Sequence, residues 1–263
     1  MRLISAPLIA ARLSLTDAPS SSSHISKRCL IRVATLLILL TANGCGTLFH
    51  SEQIAPATLP LTRPVARDVS IEQLKRLLPA RAIIVGFDVD DTLIFSAPAF
   101  NALEPAYPAD VIRPKDYTDL TAAQRRQYHD FWNRLNEEYD DRSIPKGIGK
   151  QLLDLHIQRG DEIYIISRRQ KTVPPTNTVT RRLERLFDIR LRHPVVQTNL
   201  KDKTPFIAAR HIVYYYGDSD SDITAAVGAH AVPIRVQRSS ASYAKDQPHN
   251  GYLNEIVLEN SRN

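Results

Sequence analysis

The run Ala82-Ile83-Ile84-Val85-Gly86-Phe87 passes without a break into Asp88-Val89-Asp90-Asp91-Thr92. A continuous apolar stretch of this length suits a strand covered on both faces, as strands of a parallel sheet are. Parallel neighbours need crossover connections, usually helices, so this start commits the chain to an α/β architecture. The later sequence keeps that rhythm. A helix carrying Ile148, Leu152, Leu153 and Leu155 leads through Arg159-Gly160-Asp161 into a strand over 162–166, and a second helix spans about 176–187. Residues 211–216 form a further apolar strand ending in Gly217-Asp218, and 231–236 reads as the last buried strand. Ahead of them all, Ser70 is placed as a helix N-cap, with Gln73 at the capping-box position and Leu74, Leu77 and Leu78 on one face.

The segment from about 96 to 145 interrupts the alternation. It contains Pro98, Pro105, Pro108 and Pro114, then a polar-rich helical stretch over about 121–140. It reads as a small, mostly helical cap inserted after the first strand. The expected whole is a parallel sheet flanked by helices, occupying 70–263.

A length of 263 residues suits one such domain with an insertion, and 43% apolar with 24% charged residues speaks against wholesale disorder. The net charge of +6 and pI near 9.4 raise the question of a polyanionic partner. The lysines and arginines are spread along the chain, without an RNA-binding or helix-turn-helix signature, so no nucleic acid polymer is expected. A mildly basic surface still favours small anionic substrates by steering. Both cysteines, Cys29 and Cys45, stand near the N-terminus, which leaves the remainder without a disulfide framework or thiol catalysis.

Lys27, Arg28 and Arg32 precede a short apolar run at 33–40, followed by Thr41-Ala42-Asn43-Gly44-Cys45. Charge, a short apolar stretch and small residues compose a secretory signal, and the run is too short to cross a bilayer. Residues 1–45 are therefore expected to be a signal peptide. Its end resembles a bacterial lipobox, with Ala42 standing where leucine is usual; ordinary signal peptidase would cut at the same place. The expectation is an exported, periplasmic protein, with Cys45 as a lipid anchor to the outer membrane if the lipobox is used. Residues 46–69 contain Pro and Thr without periodicity and read as a linker or arm.

In open parallel sheets, ligands collect at the carboxyl ends of the strands. There the sequence puts Asp88 and Asp90 after the first strand, Ser167 after the second, and Asp218 and Asp222 after the third, with Lys203 just before the third. An acidic cluster after a strand is often only a turn. Two like charges so close, however, require a cation or a shared proton, and both suit phosphoryl transfer. A carboxylate can attack phosphorus, and a second can exchange the proton of the leaving group and of water. Gly217-Asp218-Ser219-Asp220-Ser221-Asp222 offers oxygen ligands alone, which suits a hard cation such as Mg²⁺. Ile223-Thr224-Ala225-Ala226 follow where a calcium hand would need its glycine, so that motif is excluded. Ser167 could cap the next helix or donate to a phosphate oxygen. Lys203 could be one more solvated lysine or could neutralise the phosphate and the carboxylates.

Asp88-Val89-Asp90-Asp91-Thr92, Ser167, Lys203 and the 217–222 turn resemble, in order, the motifs of the haloacid dehalogenase superfamily. More narrowly, Phe87 through Pro98, Ser143-Ile144-Pro145-Lys146, Arg159-Gly160-Asp161 and Tyr216 through Ala226 resemble the class B acid phosphatases of bacterial periplasms. The resemblance implies a Rossmann-like haloacid dehalogenase fold and an acid phosphatase acting on nucleotides and aryl phosphates through an aspartyl-phosphate. It also implies transfer of phosphate to alcohols and assembly as a homotetramer. On it, Asp88 is the nucleophile and Asp90 the general acid/base. Mg²⁺ is held by Asp88, the Asp90 carbonyl and Asp218, with Asp222 in support. Ser167 and Lys203 bind the phosphoryl group.

The family's Thr-Gly-Arg is matched by Ser167-Arg168-Arg169, so Arg169 joins the substrate-binding set. Arg168 replaces a glycine beside phosphate, where its side chain would narrow the site or add a cation. Phe100, Trp132 and Tyr243 map onto the family's aromatic leaving-group pocket; ordinary cap core is the other reading of Phe100 and Trp132. From other classes, a surface lipoprotein whose site has decayed through Arg168 would bind without catalysis. A receiver-type module would need its acidic pair and phosphoacceptor on separate strands, and no export leader.

Overall fold

The computed structural model describes residues 67–263 except Lys245 and Gln247. The expected signal peptide, Cys29, Cys45 and residues 46–66 of the arm lie outside the described residues. Strand β1 (Arg67–Val69) leads into helix α1 (Ile71–Leu77), strand β2 (Ile84–Phe87) and strand β3 (Ile94–Phe95). Helices α2 (Ala97–Leu103), α3 (Ala109–Ile112) and α4 (Ala122–Arg134) follow, and strand β4 (Ile144–Pro145) closes the insertion. The chain continues through α5 (Gly147–Arg159), β5 (Glu162–Ser167), α6 (Thr178–Phe187), β6 (Val196–Gln197) and α7 (Thr204–Ala208). Strand β7 (Tyr214–Gly217), helix α8 (Asp220–Gly228) and strands β8 (Val232–Arg235) and β9 (Ile256–Leu258) complete it.

The main sheet runs β1-β9-β8-β7-β2-β5-β6 with every pairing parallel. Side chains of successive strand residues leave opposite faces. Val85, Phe87, Ile165 and Tyr216 therefore pack with Leu152, Leu153 and Leu183 of α5 and α6, while Ile166 and Tyr215 pack with Ile207, Ala225 and Ala226 of α7 and α8. Burial on both faces is what the unbroken apolar runs require. Local signals set the helix ends. Ser70 Oγ accepts from the Gln73 N–H and Gln73 Oε1 from the Ser70 N–H (2.7 Å), closing the capping box, and Gly160 ends α5 at a left-handed φ of 73°.

Three differences from the sequence reading concern short strands. Arg67–Val69, assigned to the arm, pairs with Ile256–Leu258, which lies beyond the strand read as the last; Val196–Gln197 adds an edge beside β5. Elements of two or three residues carry no period to detect.

The insertion is stitched at its base by antiparallel pairing of β3 with β4. It has its own apolar cluster, including Phe100, Leu103, Phe131, Trp132 and Leu135. Helix α4 runs on as a π turn (Leu135–Tyr139) and a 3-10 turn (Asp140–Arg142), so the helical stretch over 121–140 forms as three joined pieces. Among the described residues, no helix is long and apolar enough to cross a membrane.

Candidate active site

Strands β7, β2 and β5 are successive neighbours in the sheet, so the residues at their carboxyl ends converge. Asp88 leaves β2 with its N–H on the Tyr216 carbonyl at 2.8 Å, which sets it beside the end of β7. Asp91 takes a left-handed φ of 57°, a conformation that short polar residues tolerate better than bulky ones. Gly217 ends β7. A Cβ there would lie 2.3 Å from Asp222 Cβ, so only glycine lets the first turn of α8 bring Asp222 down onto the strand end. Ser219 caps α8, and Asp222 Oδ2 accepts from its hydroxyl at 2.6 Å.

Asp88, Asp218 and Asp222 are buried, and each presents an oxygen within 4.8 Å of the others. Lys203, at the start of α7, donates from Nζ to Asp88 and, at 2.7 Å, to Asp222 Oδ1. Burial would strip its proton, but Asp222 and Asp88 hold the ammonium well above its ordinary pKa. Burial pushes the Asp88 carboxyl up; Lys203 opposes this, and Asp222, Asp218 and Asp90 add to it. Asp218 is pushed up to about 7 by burial first, with Asp222 and Asp91 reinforcing it against Arg238. Three buried carboxylates face two cations, Lys203 and Arg238, so the pocket keeps an excess of negative charge, and the donors it offers a cation are all oxygens. Such a set fits a hard divalent cation.

Ser167 ends β5 and is buried; its Oγ accepts from the Arg169 N–H at 3.1 Å. The next helix begins only at Thr178, so Ser167 is not its cap. Arg168 is exposed and donates to the Leu200 carbonyl at 3.1 Å rather than to an acidic side chain of the site. Arg169 is buried and uses its guanidinium on Asp90 (3.0 Å from Nε, 2.7 Å from Nη2), on Asn136 and on Asp140 (2.9 Å). Burial would raise the Asp90 carboxyl, but Arg169 outweighs it and holds the group below the ordinary value. Phe100 and Trp132 meet edge to face within the cap core, and Tyr243, from the loop after β8, stacks on Phe100 with ring centres 4.0 Å apart.

No protein-family model matches the chain. The class B acid phosphatase of Salmonella typhi is 32% identical over 89% of this chain and 99% of its own length. That of Enterobacter sp. (strain 638) is 36% identical over 73% of this chain and 79% of its own. The chain belongs to the class B acid phosphatases. Among solved structures, a haloacid dehalogenase-like hydrolase from Bacteroides fragilis aligns over 68% of this chain and 97% of its own, with 16% identity and a TM-score of 0.46. The parallel sheet with helices on both faces is a Rossmann-like arrangement.

Three residues of this acid phosphatase's site escaped the sequence reading. Thr92 Oγ1 lies 3.4 Å from both Asp88 Oδ2 and Asp218 Oδ1, spanning the two acids. Arg238 donates from Nε to Asp218 Oδ2, and Lys146 donates from Nζ to the Asp91 carbonyl at 2.7 Å. Thr92 stands in the acidic motif and Arg238 follows a strand's carboxyl end, so position alone could have flagged them. Lys146 closes the Ser143-Ile144-Pro145-Lys146 motif, which could have flagged it in the same way. A cavity of about 410 Å³ opens at the amino ends of β2 and β5, lined by Ile83, Ile163 and Arg192, away from the acid phosphatase's carboxylates.

Proposed function

We propose that this acid phosphatase hydrolyses nucleotides and aryl phosphates in two steps at Asp88, with Mg²⁺ as its cofactor. The observation that carries this reading is the convergence of Asp88, Lys203, Asp218 and Asp222 at the carboxyl ends of β2 and β7. An Asp88 oxygen attacks phosphorus. Arg169 keeps Asp90 ionised at rest, so Asp90 takes a proton from solvent before the attack. The bond to the ester oxygen then breaks, its electron pair goes to that oxygen, and Asp90 supplies the proton. Water then attacks the aspartyl-phosphate, Asp90 takes the water's proton, and the Asp88 carboxylate is released with inorganic phosphate. Ser167 and Lys203 bind the phosphoryl oxygens, and Lys203 offsets charge that Asp88 brings to them.

Asp88, the Asp90 carbonyl and Asp218 would hold Mg²⁺, with Asp222 fixed beside them; when bound, the ion offsets negative charge on the phosphoryl group. Arg169 serves the reaction through Asp90. Phe100 and Trp132 are buried in the cap core, so of the three aromatic residues the part-exposed Tyr243 is the one that would meet a nucleoside or aryl leaving group. An alcohol replacing water in the second step would make the enzyme a phosphotransferase.

The test is hydrolysis of an aryl phosphate and a nucleoside monophosphate with Mg²⁺ and with EDTA, alongside Asp88→Asn. The reading expects metal-dependent turnover that the substitution abolishes; turnover that survives either treatment overturns it.

The leader at 1–45 supports export to the periplasm, and Cys45 supports lipid anchoring at the outer membrane. Radiolabelled fatty acid incorporated into the parent, and absent from Cys45→Ser, is the expected result; an unlabelled protein that washes off membranes contradicts the anchor. A homotetramer is expected by light scattering, and a monomeric mass would end that expectation.

A further inference from the structure

The π turn that extends α4 sets Asn136 and Asp140 four residues apart, both turned onto Arg169. Asn136 donates from Nδ2 to the Gln170 carbonyl at 2.9 Å, which leaves its Oδ1 to accept from Arg169 Nη1. Asp140 Oδ1 accepts from Ser143 Oγ at 2.7 Å as well as from Arg169 Nη2. Asn136, Asp140 and Arg169 are each no more than 2% exposed. The Asp90 side chain at the far end of the network is 29% exposed. A buried, hydrogen-bonded guanidinium thus has one end locked in the cap and the other on a carboxyl that faces the site. One carboxylate already balances its charge, so the second and the amide add direction rather than neutrality.

We propose that Asn136 and Asp140 are positioning residues for the phosphatase reaction: they fix Arg169, and Arg169 aims the Asp90 carboxyl at the departing ester oxygen. This rests on the proposed role of Asp90 as the proton donor. Paired with Arg169, the Asp90 carboxylate first takes a proton from solvent; that proton then moves to the ester oxygen as the oxygen takes the electron pair of the breaking bond to phosphorus. A nitrophenolate departs readily without a proton, whereas an alkoxide does not. Loss of aim therefore harms alkyl phosphates and spares nitrophenyl phosphate, which unfolding or loss of phosphate binding would not do.

The experiment measures kcat/KM, which reports the step in which the ester oxygen departs, for p-nitrophenyl phosphate and for glycerol phosphate. The enzymes are the full-length parent, Asp140→Ala, Asp140→Asn, Asn136→Ala and Asp90→Asn, with melting temperatures taken for each. Asp90→Asn is expected to lose the larger part of a general-acid contribution of about 10² to 10⁴-fold on glycerol phosphate alone. Asp140→Ala and Asn136→Ala are expected to lose about 10-fold on the same substrate, a fraction of that contribution, with the nitrophenyl value near the parent's. Asp140→Asn keeps the acceptor oxygen and should restore most of the loss. If Asp140→Ala does not fold, Asn136→Ala carries the comparison. Equal losses on both substrates, or none on either, overturn the positioning role when Asp90→Asn is selective. An unselective Asp90→Asn overturns the proton-donor reading and the inference with it.

Discussion

Lys203 Nζ bridges two carboxylates from different elements, donating to Asp88 after β2 and to Asp222 Oδ1 in α8 at 2.7 Å. The lysine is 3% exposed, so its charge acts with little solvent screening. Lys203→Met is expected to lower kcat for an aryl phosphate by about 10² to 10³-fold, the usual cost of deleting one preorganised charge donor. Lys203→Arg should recover little, because a planar fork does not fit where a compact ammonium is enclosed. Steady-state kinetics on folded variants check this, and a near-parent rate for Lys203→Met would contradict it.

Arg235 and Glu255 form an ion pair in which neither side chain is exposed, at 2.7 Å. Glu255 also accepts from the Gly251 and Leu253 N–H groups, and Arg235 donates to the Asp218 carbonyl at 3.0 Å, so the pair ties the C-terminal loop to the acidic motif. Glu255→Leu leaves the buried guanidinium with only the part-exposed Asp220 carboxylate, at 2.9 Å, and should cost about 3 kcal/mol in urea unfolding, the low end for a broken buried pair. A loss under about 1 kcal/mol, the scale of an exposed pair, would contradict this.

The strands that carry Asp88, Ser167 and Asp218 are legible in the sequence because each is a buried run with an abrupt polar end. Their meeting is legible too, since neighbouring parallel strands bring those ends together. The cap's lock on Asp90 is not. Asn136 and Asp140 fall on a stretch that looks solvated, and Arg169, which gathers them, lies 79 residues from Asp90. Arg238 stands just past the carboxyl end of β8, which marks it as near the site, but its partner Asp218 is set by the path of a loop. Strands β1, β6 and β9 were too short for periodicity to mark.

His156 is sealed between Asp161 and Tyr216, with Nδ1 2.6 Å from Asp161 Oδ2 and Nε2 2.8 Å from the Tyr216 hydroxyl. Asp161 can only accept, so Nδ1 carries the proton and the neutral ring accepts from Tyr216. Burial pushes the imidazole below its ordinary value, with Asp161 pulling the other way. Because the folded pKa is the lower one, the unfolded chain gains the proton first as pH falls. Stability is therefore full above about pH 6.5 and is lost below it. The stability gap between the parent and His156→Asn should narrow from pH 7 to pH 5, by no more than about 2 kcal/mol for one proton. A gap that widens in urea titrations would contradict the neutral assignment.

Tyr243 stacks on Phe100 and lies under the Arg113 guanidinium, 4.3 Å from its ring centre. If this ring receives the leaving group, Tyr243→Ala should lower kcat/KM for a nucleoside monophosphate by about 2- to 10-fold, the worth of one aromatic contact. Glycerol phosphate should be unaffected. An equal fall on both substrates would assign Tyr243 to cap packing alone.

A covalent phosphoryl bond to Asp88 is the intermediate on which the two-step mechanism turns, and it can be trapped. Full-length enzyme mixed with radiolabelled nucleotide and Mg²⁺, quenched in acid and digested, should carry the label on the peptide containing Asp88. Asp88→Asn should carry none. Turnover with no trapped label, or label on another residue such as Ser167, would contradict a nucleophilic role for Asp88.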